Sequence, residues 1–151
     1  MFTILKSNQI YCLNHDDLLL YKVRVQQYFL SSKCMFYDNN GTLILVVKHN
    51  NFILFKANFY NFYFVSEEIK ARVSYKNKGF NIFYKGDIYV YKPVGIIEDN
   101  AQLFLNNNKC GQINCEISNL SEGRWEVTVF SEIAFLIFSA IHIACDYEAG
   151  V

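Results

Sequence analysis

The sequence predicts a mainly β fold with one helix: a closed antiparallel barrel of about twelve strands around a buried C-terminal hydrophobic helix. Three observations lead there. Apolar and polar residues alternate with period two through most of the chain, as in strands with one wet face. Turn-forming residues interrupt that alternation at short intervals. The stretch Ser131 to Asp146, SEIAFLIFSAIHIACD, carries apolar residues on every side, so a helix there must be surrounded.

Taken in order, the elements fill one domain, residues 1–151, with strands over about 3–130 and a central helix over about 131–147. Tyr21, Val23 and Val25 oppose Lys22, Arg24 and Gln26. Runs follow at Cys34 to Tyr37, Thr42 to Val47, Phe52 to Ala57 and Phe59 to Val65. Ile69, Ala71, Val73 and Tyr75 then oppose Lys70, Arg72, Ser74 and Lys76. Later runs cover Phe80 to Tyr84, Ile88 to Tyr91, Ala101 to Leu105 and Gly111 to Ile117, and end with Trp125, Val127 and Val129. Asp38-Asn39-Asn40-Gly41 carries an Asn-Gly hairpin signal. Asn77-Lys78-Gly79, Lys85-Gly86-Asp87 and Ser121-Glu122-Gly123 supply residues that tolerate positive φ. Pro93 falls between two runs, where its missing N–H does least harm. Ser131 suits an N-cap, and Glu132 complements the positive end of the helix dipole. A helix of about 16 residues is roughly 24 Å long, and a barrel of about twelve strands is too wide for its own wall to fill. Helix and lumen answer each other's need.

Composition excludes several function classes. Apolar residues make up 52% and aromatics 17% of the chain, against the pattern of disorder. Lys plus Arg and Asp plus Glu are 14 each, so the overall positive charge of a simple nucleic-acid binder is missing. The balance is local: from Lys48 to Lys92 there are eight basic residues against three acids, and the remainder carries the opposite excess. The five cysteines form no compact framework, which reads as reduced thiols and a cytoplasmic protein. MFTILKSNQIYC has no signal-peptide pattern, and the apolar run Ile133 to Cys145 is shorter than the roughly 20 residues a membrane span needs.

This layout resembles the tubby C-terminal-like superfamily, which includes tubby domains, phospholipid scramblases and LURP-one-related proteins. The bacterial single-domain members look closest. The likeness rests on Tyr28-Phe29-Leu30, then Phe36-Tyr37-Asp38-Asn39-Asn40-Gly41 and the following strand. It continues with GRWEVTV, Gly123 to Val129, running into the last helix with its closing Asp146. The resemblance implies a twelve-stranded barrel around a central helix and, for tubby domains, phosphoinositide headgroup binding through basic side chains. No local motif carries those ligand positions over to a particular Lys or Arg here.

Catalytic and metal patterns are weak. His142, Cys145 and Asp146 have helical spacing, but on a buried helix Asp146 is expected to satisfy His142 or a backbone group. Cys12, His15, Asp16 and Asp17, and the pair Cys110 and Cys115, match no zinc spacing. Walker, G-x-S-x-G and H-E-x-x-H motifs are missing. No enzyme activity, cofactor or metal is expected. The aromatic run Phe59 to Phe64 reads as a buried strand ahead of a base-stacking platform.

The remaining candidate is a basic surface formed by Lys70, Arg72, Lys76, Lys78, Lys85 and Lys92. It points to a non-catalytic binding protein with a protein partner, of the small inhibitor or immunity type. The alternative is a peripheral module reading anionic phospholipid headgroups.

Overall fold

A computed structural model describes residues 1–28, 31–50, 60–94, 100–119 and 121–149. The strands are β1 (Phe2–Ser7), β2 (Ile10–His15), β3 (Leu18–Gln27), β4 (Ser31–Asp38), β5 (Leu43–Asn50) and β6 (Tyr60–Phe64). They continue as β7 (Ile69–Lys76), β8 (Gly79–Tyr84), β9 (Asp87–Val94), β10 (Asn100–Leu105), β11 (Asn108–Ser118) and β12 (Glu122–Thr128). One helix, α1 (Glu132–Ala149), follows. Each strand pairs antiparallel with its neighbours in sequence, and β12 pairs with β1 to close the barrel. The expected runs at Phe52 to Ala57 and at Phe59, and Phe29 and Leu30 of the resemblance, lie outside the described residues.

Period-two alternation does here what it must in a closed sheet. Phe36, Leu45, Phe62, Val73, Ile82, Leu103, Ile113 and Trp125 point inward and are buried, while their sequence neighbours form the outer wall. Inside runs α1, in which every residue from Ala134 to Ala144 is buried, in one core with the inward strand residues. Contacts reach it from several parts of the wall: Phe2 packs at a tilt against Phe135, Tyr89 meets Phe138 edge-on, and Trp125 meets His142 edge-on. Outer charge around an apolar interior is the inverse of what a membrane-spanning barrel presents to lipid. Among the described residues no helix is long and apolar enough to cross a membrane.

Ser131 caps the helix as expected. Its Oγ accepts from the Ala134 amide at 3.2 Å and its carbonyl from the Phe135 amide at 3.0 Å. Glu132 at the positive end also accepts from the Tyr21 hydroxyl at 2.7 Å. The end of the barrel where α1 begins, with the β2–β3, β4–β5, β6–β7, β8–β9 and β10–β11 turns, is called the upper end below.

Several turns differ in detail from the expectation. In the β7–β8 turn, Asn77 and Lys78 adopt positive φ and Gly79 does not. Asp38 organises the β4–β5 turn by accepting, through Oδ1, from the amides of Asn40 and Thr42, both at 2.9 Å, with Gly41 at φ 80°. Gly123 serves contact instead of conformation, because a Cβ there would stand 2.3 Å from the Trp125 ring. Gly111 is stricter still: its Cβ would lie 1.8 Å from the Thr128 carbonyl oxygen. Pro93 belongs to β9 and pairs with Ala101, beyond the last β8 partner, so no ladder bond misses its amide.

Strand β1 breaks the alternation for a reason. Lys6 shares parity with Ile4, and its ammonium turns toward the lower end of α1, where it meets Asp146 at 3.0 Å. Both side chains are over nine-tenths buried. Tyr11 donates to the same carboxylate at 2.5 Å, and Lys6 also donates to the Asn119 carbonyl at 3.2 Å. The carboxylate stands near the negative end of the helix dipole, so these donors offset an otherwise unfavourable placement.

Two outcomes follow for stability. Ala140→Arg places an uncompensated charge in the lumen, and chemical denaturation should show a loss of several kcal/mol, most of a total of about 5–15. Asp146→Asn leaves Lys6 buried without its counter-charge and should lose about 3–5 kcal/mol, whereas the double change Lys6→Met with Asp146→Leu should recover most of it.

Candidate functional site

On the outer wall of β4 to β7, register gathers basic residues that sequence order keeps apart. Lys33 pairs with Lys48, Lys48 with Asn61, and Asn61 with Arg72, giving one row across four strands. At about 4.8 Å per strand the row spans roughly 14 Å. The next outward row, two residues higher, is Met35, Val46, Tyr63 and Lys70. Met35 and Val46 face outward yet are buried, and the Tyr37 hydroxyl rests on the Met35 sulfur at 3.6 Å.

The two rows border a groove of about 730 Å³ whose lining includes Lys33, Lys48, Lys70 and Arg72 on its cationic side and Val46 and Tyr63 on its apolar side. Among the described residues, none that lines it is acidic. A smaller hollow of about 330 Å³, lined by Tyr28, Ser31, Ser32, Lys33 and Lys48, shares the two lysines. Lys33 and Lys48 therefore stand between an apolar hollow and one rich in hydroxyls. Two ammonium groups on directly paired residues repel each other, which is a cost to the free fold.

The structure divides the basic surface expected from the sequence. Lys70 and Arg72 enter the groove. Lys76 and Lys78 lie farther down, at the end of β7 and in the turn after it. Lys92 is on β9, its ammonium 4.8 Å from the centre of the Phe104 ring. Lys85 is at the upper end, paired with Glu67 at 2.5 Å. A reading strand by strand missed Lys33 as a member of this surface; its outward parity was legible, but its neighbour across the β4–β5 hairpin was not. The register shift between Phe36 and Tyr37 moves that pairing.

The helix polar groups also settle differently from the expectation. His142 takes the Tyr91 hydroxyl as partner, Oη to Nδ1 at 2.6 Å, and Asp146 takes Tyr11 and Lys6. Helical spacing brings His142 and Asp146 to one side, but the wall around them supplies closer partners. Near the β2–β3 turn, His15 stacks on Phe2 and Asp16 pairs with the N-terminal amine. Among the described residues no group of three or more His, Cys, Asp or Glu is placed to hold a metal.

No family model, curated protein or solved structure matches this chain.

The Lys85 site has a pH signature. Burial, then the bond to Glu67, pushes the Tyr84 phenol up to about 12. The Lys85 ammonium, then the Tyr84 hydroxyl at 2.7 Å, hold the Glu67 carboxyl below its ordinary range. In alkali the folded phenol keeps a proton that the unfolded chain releases, so this contribution is full below about pH 10 and lost as pH rises through 12. The Glu67 contribution has the opposite sense, present above the ordinary carboxylate pKa and lost as pH falls through its lowered value. Tyr84→Phe should flatten the alkaline limb of the stability profile measured by urea titration and lessen the acid limb.

Proposed function

We propose that this protein is a non-catalytic binding module that docks an acidic protein segment in the groove on β4 to β7, as a small inhibitor or immunity-type protein would. The Lys33–Lys48 pair carries the reading, because two like charges on directly paired residues lower the stability of the free fold and reward an anion brought between them. The adjoining hollows set the partner's chemistry. An apolar side chain fits against Val46 and Tyr63, and a carboxylate reaches the ammonium groups beside Ser31 and Ser32. A bare lipid headgroup would use only the second hollow and leave the apolar one unfilled, which favours a protein segment. The twelve-stranded layout around a helix supports membership in the tubby C-terminal-like superfamily.

The test is a pull-down from native lysate with wild type and Lys33→Glu/Lys48→Glu, followed by association kinetics with the protein recovered. Wild type should capture an acidic protein, and the variant should lose at least about tenfold in affinity, mostly through slower association. Neither form should sediment with anionic liposomes. Equal capture by both forms would place the binding surface elsewhere, and salt-sensitive liposome binding by wild type alone would select the headgroup alternative.

A further inference from the structure

The upper end of the barrel is the chemical complement of the groove. Met1, Leu18, Leu19, Phe130 and Ile133 are all exposed there, Leu18 by 67% and Phe130 by 60%. They are neighbours in the fold. The Asp16 amide donates to the Met1 carbonyl, Phe2 of β1 pairs with both His15 and Val127, and the Tyr21 hydroxyl donates to Glu132 at the start of α1.

The protrusion is built deliberately. Asp16 and Asp17 both adopt positive φ, giving a tight β2–β3 hairpin. The register then shifts, with Leu13 opposite Tyr21 but Asn14 opposite Leu19, so that Leu20 is an extra residue. Without that bulge Leu19 would share the inward parity of Tyr21 and Val23; with it, Leu19 is turned out.

Charge around this apolar tip is negative. The Glu67–Lys85 pair cancels, and Asp16, Asp17, Asp38, Glu68, Asp87 and Glu132 then outnumber Lys22, Lys70, Lys109 and the N-terminal amine at the upper end. An apolar knob ringed by carboxylates thus faces one way, and an apolar groove edged by Lys33, Lys48, Lys70 and Arg72 lies on the side wall. The chain's net charge is zero, so no overall repulsion keeps copies apart.

We infer that the upper end of one copy docks in the β4–β7 groove of a second copy. This rests on reading the groove as protein-binding, and it names a partner the chain itself supplies. The contact is head-to-side and joins unlike surfaces, so it extends into open chains unless the rotation closes a ring. It also covers the groove, so self-association and capture of a different acidic partner compete.

Sedimentation velocity of the full chain tests this. The sedimentation coefficient of wild type should rise with concentration in low salt and return to the monomer value in high salt. The tip variant Leu18→Ser/Phe130→Ser and the groove variant Lys33→Glu/Lys48→Glu should each stay monomeric alone. Mixed in equal amounts they should form a dimer and stop there, because the pair retains one intact tip and one intact groove. Should the groove variant fail to fold by circular dichroism, Lys33→Gln/Lys48→Gln with the same mixing carries the test. A wild type that stays monomeric throughout, a tip variant that associates like wild type, or a mixture that stays monomeric would overturn the proposal. Its failure is separable from failure of the partner reading: the tip variant should still capture the acidic partner, since its groove is intact.

Discussion

Everything in this fold depends on one mutual filling. A barrel of twelve strands encloses more space than its inward side chains can close, and α1 is apolar on every face, so neither is stable without the other. The arrangement also sets an order of events. Hairpins β2–β3 to β10–β11 join near neighbours, but the lumen has no filling until the last element of the chain is in place, and β12 must reach β1 to close the wall. Closure and filling are both long-range, the kind of contact that slows folding.

A helix buried on all sides can carry polar groups only where the wall answers them. Tyr91 answers His142, and Lys6 with Tyr11 answers Asp146. Trp125 Nε1 and Ser139 Oγ are buried with no hydrogen-bond partner among the described residues. Such groups are among the most expensive in a core, yet Trp125 is also the largest fully buried side chain and Gly123 is reserved to admit its ring. Packing volume there outweighs the lost hydrogen bond. The lower end carries the opposite solution: a buried ion pair that an apolar pair of similar size would equal in energy but not in direction, since it ties β1 and β2 to the last turns of α1.

How much of this was legible follows from the range of each signal. The helix, its cap at Ser131 and most strands could be read because period and capping are local. β1 resisted because Lys6, inward and charged, breaks the alternation that marks a strand, and its reason lies 140 residues away at Asp146. Gly123 announced a turn and Gly111 only the start of a strand run, but they act through close approach to the Trp125 ring and to the Thr128 carbonyl on the paired strand. The groove was half legible. Lys70 and Arg72 share one strand's parity, whereas Lys33 joins them only through three successive registers, one of them shifted by a bulge.

Closure of the sheet also decides how this molecule can recognise anything. The described strands close without a free edge on which an added strand could be hydrogen-bonded, so among them recognition falls to side chains on the outer wall and at the ends. On the described wall those side chains are arranged by rows, because register, not sequence, makes neighbours of residues on different strands. A row places like residues about 4.8 Å apart, close enough for Lys33 and Lys48 to act on one carboxylate and too close for either to be neutral toward the other. The repulsion the fold tolerates there is the same quantity an anion would relieve. That is why the proposed function rests on this pair.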